Sequence, residues 1–127
     1  MAASGGGLML ADKLGPYDLD TIITGDAREL AKAIPDESVD LIFTWSKQPG
    51  AIARYVRALS TPGAIVADFF TGGGTVPAVC KMLDRRYLAF EIDPDTADLA
   101  RERVRQTQPS LPGLVVEQGK FLLDSSP

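Results

Sequence analysis

The chain has 127 residues, 45% apolar and 24% charged, with a net charge of -4, a single cysteine and no histidine. That length suits one domain around one core, and the composition excludes the usual zinc sites, an internal disulfide and any histidine-based triad. The acidic balance argues against strong nucleic-acid binding by this chain alone, and no apolar run approaches the roughly 20 residues a membrane span needs.

Residues 1–16 read as a leader without the basic flank of a secretory signal, so a cytoplasmic location is expected. Residues 17–107 read as the folded domain and residues 108–127 as a tail. Thr21 to Thr24 is a β-branched run that predicts a buried strand, stopped by Gly25-Asp26. Asp26 can cap a helix from Ala27 to Ile34, which Pro35 ends. Val39 to Thr44 predicts a second, nearly all-apolar strand, as expected when both sheet faces are covered. The spacing of Ala51 to Leu59 is helical, with Ile52, Tyr55, Val56 and Leu59 inward and Arg54 and Arg57 elsewhere.

A third strand, Ala64 to Phe69, runs straight into Thr71-Gly72-Gly73-Gly74-Thr75. Val76 to Leu83 then predicts a helix that tolerates Pro77 in its first turn, with Cys80 on its apolar side. Tyr87 to Ile92 is a fourth strand, and Asp93-Pro94 caps a helix running to about Arg105. Arg101, Arg103 and Arg105 on that helix are offset by Asp98 and Glu102 and read as a solvated face. In the tail, Leu114-Val115-Val116 predicts an edge strand or a docked coil. Strands alternating with helices define an α/β fold with a mainly parallel sheet.

The chemistry concentrates where the third strand ends in Asp68 and opens a glycine turn. Glycine adopts left-handed backbone and lets a ligand approach closely. The next strand ends in Glu91, a carboxylate suited to accept both hydroxyls of a ribose. Together they describe an adenosine-containing ligand across the carboxyl ends of adjacent strands. A dinucleotide fingerprint fails, because Gly72-Gly73-Gly74-Thr75-Val76-Pro77 puts proline at the third small position. No Gly-Lys-Ser or Gly-Lys-Thr exists for a triphosphate loop. A tight structural turn alone would explain the glycines but not Glu91 one βαβ step later.

These residues resemble the circularly permuted DNA methyltransferases that act on adenine N6 or cytosine N4. The resemblance rests on Asp68-Phe69-Phe70-Thr71-Gly72-Gly73-Gly74-Thr75, on Arg86-Tyr87-Leu88-Ala89-Phe90-Glu91-Ile92-Asp93 and on Ala100-Arg101-Glu102-Arg103. Thr24-Gly25-Asp26, followed by Ile34-Pro35-Asp36-Glu37-Ser38-Val39-Asp40, is similar to the family's amino-terminal segment, and Lys47-Gln48-Pro49 to its Lys-Pro element. The second turn residue is Phe69 where the family has proline.

The resemblance implies a Rossmann-like three-layer sandwich with core strands in the family's order 3-2-1-4, and S-adenosyl-L-methionine as cofactor. By the same resemblance, Asp68, Phe70, Gly72, Gly74 and Thr75 hold the methionyl and ribose parts, and Glu91 takes the ribose diol. Ile92 packs on adenine, Asp26 with Ala27 faces its amino group, and Lys47 and Pro49 lie beside the methionine end. Asp26 could equally be only a helix cap, and Ile92 plain core.

The family's catalytic tetrapeptide, Asp-, Asn- or Ser-Pro-Pro-Tyr, is absent: Thr44 is followed by Trp45-Ser46-Lys47. An exocyclic amino nitrogen is a poor nucleophile until acceptors bind its hydrogens, and the family's tyrosine stacks on the flipped base. Neither group is present, so no catalytic residue is assigned. The recognition region that would follow the tetrapeptide is missing too, which fits weak DNA binding. Trp45 is expected to cover apolar surface left bare by that loss. The strand Val39 to Thr44 should be an edge, open to pairing in a homodimer. The alternative functions are a subunit of a split methyltransferase and a non-catalytic oligomeric interaction module.

Overall fold

A computed structural model of the protein describes residues 12–44, 49–109, 114–117 and 120–123. Within the expected leader, β1 (Lys13–Leu14) pairs antiparallel with β2 (Tyr17–Asp18). Leu14 is buried, so residues 12–16 belong to the fold rather than to a free extension.

The central sheet has four parallel strands: β3 (Thr21–Thr24), β4 (Leu41–Phe43), β5 (Ile65–Asp68) and β6 (Arg86–Glu91), in spatial order β3-β6-β5-β4. Counted from the strand that feeds the glycine turn, round the permuted chain, this reads 3-2-1-4, as the resemblance implied. The side chains of β6 alternate between the two faces. Tyr87 and Ala89 face one core cluster, whereas Leu88 and Phe90 face the other.

The first cluster lies under α2 (Pro49–Leu59), α3 (Thr75–Met82) and α4 (Pro94–Gln106), which contribute Ile52, Val56, Val79, Ala97 and Ala100. On the opposite face the cover is thinner, made by the β1–β2 hairpin, α1 (Ala27–Leu30) and a 3-10 turn at Ala31–Ala33. The helix expected through Ile34 thus tightens after one turn. Pro35 denies it the following hydrogen bond, and the Ile34 N–H closes on the Ala31 carbonyl instead. Two other expectations change. In α2 the buried stripe is Ile52, Ala53 and Val56, while Tyr55 and Leu59 are exposed. The small Ala53 turns that helix toward the sheet and leaves Tyr55 on its flank. In the tail, β7 (Leu114–Glu117) pairs antiparallel with β8 (Lys120–Leu123) as a separate hairpin, with β7 against α2.

Candidate functional site

Three strand ends meet at one end of the sheet because their ladders are in register there. Thr24 lies opposite Glu91, and Asp68 lies opposite Ala89. The loops that leave β3 and β5 are both stitched to β6. Gly25 N–H donates to the Glu91 carbonyl at 2.9 Å, and Thr71 N–H donates to the Phe90 carbonyl at 3.0 Å.

The two outer glycines of the turn do different work. Both adopt left-handed backbone, Gly72 at φ 53° and Gly74 at φ 82°. A Cβ on Gly74 would lie 3.0 Å from Ala100 of α4, so that glycine permits contact between α3 and α4. A Cβ on Gly72 would meet nothing within 4 Å, so open space adjoins that position.

Glu91 closes the site from the neighbouring strand. Its Oε1 accepts from Gly72 N–H at 3.0 Å and its Oε2 from Asp93 N–H at 2.9 Å. An ionised carboxylate offers about four lone-pair positions, so each oxygen keeps capacity for one more donor. Asp93 in turn caps α4, accepting from Thr96 N–H at 2.8 Å and from the Thr96 hydroxyl at 2.6 Å. Those bonds hold its carboxyl below the usual carboxylate range.

Asp68 is only 3% exposed. Burial pushes its carboxyl up to about 6, opposed by the Phe70 N–H at 3.2 Å and by the neighbouring Thr71 side chain, and assisted by the charge of Glu91. The buried Thr71 hydroxyl nevertheless reaches full hydrogen-bond geometry with no group among the described residues. Its influence on Asp68 is better taken as proximity than as a formed bond.

Beside Glu91 a cleft of about 350 Å³ opens between the Gly25–Arg28 segment that starts α1, Phe70 and Ile92. Phe70 is 58% and Ile92 64% exposed, so Ile92 is not core: it lies on the cleft wall. Beneath them Phe69 stacks on Phe90 with centroids 5.7 Å apart. Asp26 caps α1, accepting from Arg28 N–H at 2.9 Å, and also receives the Arg28 guanidinium, with Nη2 at 2.7 Å from Oδ2. The Arg28 hydrogen bonds hold the Asp26 carboxyl below its ordinary value.

Of the residues singled out from sequence, Asp26, Ala27, Phe70, Glu91 and Ile92 line this cleft, and Gly72 is tied to it through Glu91. Asp68 and Gly74 are buried and off the cleft wall, as is the half-buried Thr75. Pro49 opens α2 without lining the cleft. Lys47, Trp45 and Ser46 lie outside the described residues.

The sequence profile of a DNA methylase family, of the N6/N4 type, matches residues 31–102, more than half of the chain. The chain belongs to this N6/N4 DNA methylase family. Among relatives of this chain, the type II methyltransferase M.SmaI of Serratia marcescens is 46% identical over 57 residues, 44% of this chain and 20% of that protein. M.HinfI of Haemophilus influenzae is 31% identical over 77 residues, 61% of this chain and 21% of that protein. The chain therefore spans about a fifth of the length of these relatives. Among solved structures, TTHA0409 of Thermus thermophilus, complexed with S-adenosyl-L-methionine, is 35% identical. Its match covers 50% of this chain and 26% of that one with a TM-score of 0.46. The M1.HpyAVI–SAM complex is 27% identical, covering 46% and 29%, with a TM-score of 0.45.

Sequence reasoning missed two residues that reach the site region. Arg101 and Arg103, read as part of a solvated face, also reach oxygens of other elements, although Arg103 is exposed and Arg101 keeps the expected ion pair with Asp98 at 2.8 Å. Arg101 donates to the Ile22 carbonyl at 2.7 Å and to the Thr24 hydroxyl at 2.8 Å. Arg103 donates to the Thr75 hydroxyl at 3.0 Å and to the Gly73 carbonyl at 3.4 Å. The available signal was their spacing: residues two apart on a helix point roughly opposite ways, so they can reach different neighbours.

Proposed function

We propose that this methylase chain is the cofactor-binding half of an adenine-N6 or cytosine-N4 DNA methyltransferase, minimal or impaired in methyl transfer. Its ligand in this reading is S-adenosyl-L-methionine. The observation that carries the proposal is Glu91, held by the Gly72 and Asp93 amides yet keeping acceptor capacity beside an open glycine. That arrangement suits a ribose diol, and the cleft between Phe70 and Ile92 suits a flat base.

In this reading Asp26 and Ala27 meet the adenine amino edge, which requires the Arg28 guanidinium to yield. Asp68, Gly72, Gly74 and Thr75 shape the methionyl and ribose ends, with Lys47 and Pro49 beside the methionine. The bound cofactor would supply an electrophilic methyl on a sulfonium. What the chain itself lacks is an acceptor pair for the target amino group, because Thr44-Trp45-Ser46-Lys47 replaces the tetrapeptide. Isothermal calorimetry with S-adenosyl-L-methionine and S-adenosylhomocysteine tests the reading, with saturable one-to-one binding as the expected result. No heat with either ligand would overturn it.

The altered tetrapeptide position favours a second reading, in which catalytic and DNA-recognition parts come from another chain. Tritium transfer to DNA that appears only with such a partner supports it; transfer by the chain alone excludes it. DNA contact by this chain alone is taken as weak, in line with its net charge of -4. Pairing of two copies through β4 is part of the proposal, since that strand is a sheet edge and its Ile42 is 49% exposed. We place the protein in the cytoplasm and in restriction-modification systems. No described helix is long and apolar enough to cross a membrane.

A further inference from the structure

We infer that Arg103 is a positioning residue that clamps the glycine turn, so that the Gly72 amide and Glu91 keep their mutual geometry. Helix α4 touches the turn at two points. Ala100 lies 3.0 Å from where a Cβ on Gly74 would fall, and Arg103, almost one turn later, donates to the groups flanking Gly74. The guanidinium thereby holds the Gly73 carbonyl and the Thr75 hydroxyl with one nitrogen. At its start the same helix fixes Glu91, because the Asp93 cap donates its N–H to Glu91 Oε2. One rigid element thus holds both partners of the Gly72–Glu91 bond.

Arg101 gives the comparison. It grips β3 at the Ile22 carbonyl and the Thr24 hydroxyl, just before α1 begins, its remaining partner being Asp98 rather than the glycine turn. The two arginines divide the strand ends between them. Arg103 is also exposed, so its removal strips directional bonds from the turn without opening a cavity in the core.

The role rests on the nucleoside reading of the site, and the experiment separates the two. Hydrogen–deuterium exchange and S-adenosylhomocysteine calorimetry are run on the full chain and on R103A, R103K and R101A. R103A is expected to speed exchange of the Gly72 to Thr75 amides and to weaken binding about tenfold, with little change in melting temperature. R103K, which can still donate to one oxygen, should recover most of both effects. R101A should instead speed exchange near Thr24. Unchanged exchange in the turn of R103A overturns the clamp. Faster exchange with unaltered affinity overturns the positioning role. Failure of the unmodified chain to bind overturns the nucleoside reading and this role with it.

Discussion

The Gly72 amide and the Glu91 carboxylate, 19 residues apart in sequence, meet at 3.0 Å across the ends of β5 and β6. A turn that exposes its amides and a carboxylate that needs donors satisfy each other, and the carboxylate keeps capacity to spare. Replacement of Glu91 by glutamine keeps one carbonyl acceptor for Gly72 but removes charge and acceptor capacity. E91Q is expected to weaken S-adenosylhomocysteine binding at least about tenfold, with a melting temperature close to the parent's. Calorimetry and a melt on the same preparation check both parts; undiminished affinity would remove Glu91 from the binding site.

The two outer glycines should separate stability from binding. G74A forces a Cβ into Ala100 at 3.0 Å with φ at 82°, and is expected to cost about 2–3 kcal/mol in urea melts. G72A meets no neighbour, so only its left-handed backbone is strained, at about 1 kcal/mol. Its methyl would instead intrude on the open space beside Glu91 and reduce affinity. Equal destabilisation by the two variants contradicts this division.

Asp68 gives a pH signature. Its carboxyl is pushed up to about 6 by burial, above the roughly 3.9 of an unfolded aspartate. Between those values the folded state keeps a proton that the unfolded chain has released, so this group's contribution falls as pH rises from about 4 to 6. Asp26 and Asp93, lowered by their hydrogen bonds, act oppositely: their contribution is present above the unfolded value and is lost as pH falls further. D68N is expected to erase the first slope alone and to stabilise the protein near pH 7 by on the order of 2 kcal/mol. Parallel pH profiles for parent and variant in denaturant melts would rule out this titration.

Arg28 occupies the Asp26 carboxylate. Its main-chain N–H, Nε and Nη2 all donate to the two carboxylate oxygens. R28A leaves the cap bond from the backbone but frees Oδ2 for an adenine amino group. Affinity for S-adenosylhomocysteine should rise about threefold, whereas affinity for a ligand lacking that amino group, such as the inosine analogue, should not. A loss of affinity for both ligands would instead make Arg28 a direct contact.

Pairing of two copies through β4 is tested at Ile42. I42K places a charge on the open strand and should shift sedimentation from dimer to monomer without loss of the fold. A parent chain that sediments as a monomer at high concentration refutes the pairing.

Much of the frame was legible in the residues because each element carried its own punctuation. Thr21 to Thr24 is a β-branched run stopped by glycine, Asp93-Pro94 is a cap and first-turn pair, and Asp68 runs directly into the glycine turn. The family's motifs then gave the strand order. What escaped depended on distance in space rather than on neighbours in sequence. Tyr55 and Leu59 share the helical period of Ile52, but Ala53 decides which way α2 faces the sheet. The β1–β2 hairpin is short, and Leu14 is buried in a cluster that includes Leu88 and Phe90, far along the chain. Arg101 and Arg103 carry formal charges that a count of acids cancels, and Arg101 does pair with Asp98, yet both also bond backbone and hydroxyl oxygens of other elements.

The pairing of Thr24 with Glu91 works as a ruler. Side chains of a strand alternate between faces, so gaining or losing one residue between Arg86 and Glu91 would swing the glutamate to the sheet's far side. The six-residue length of β6 therefore sets where the carboxylate stands.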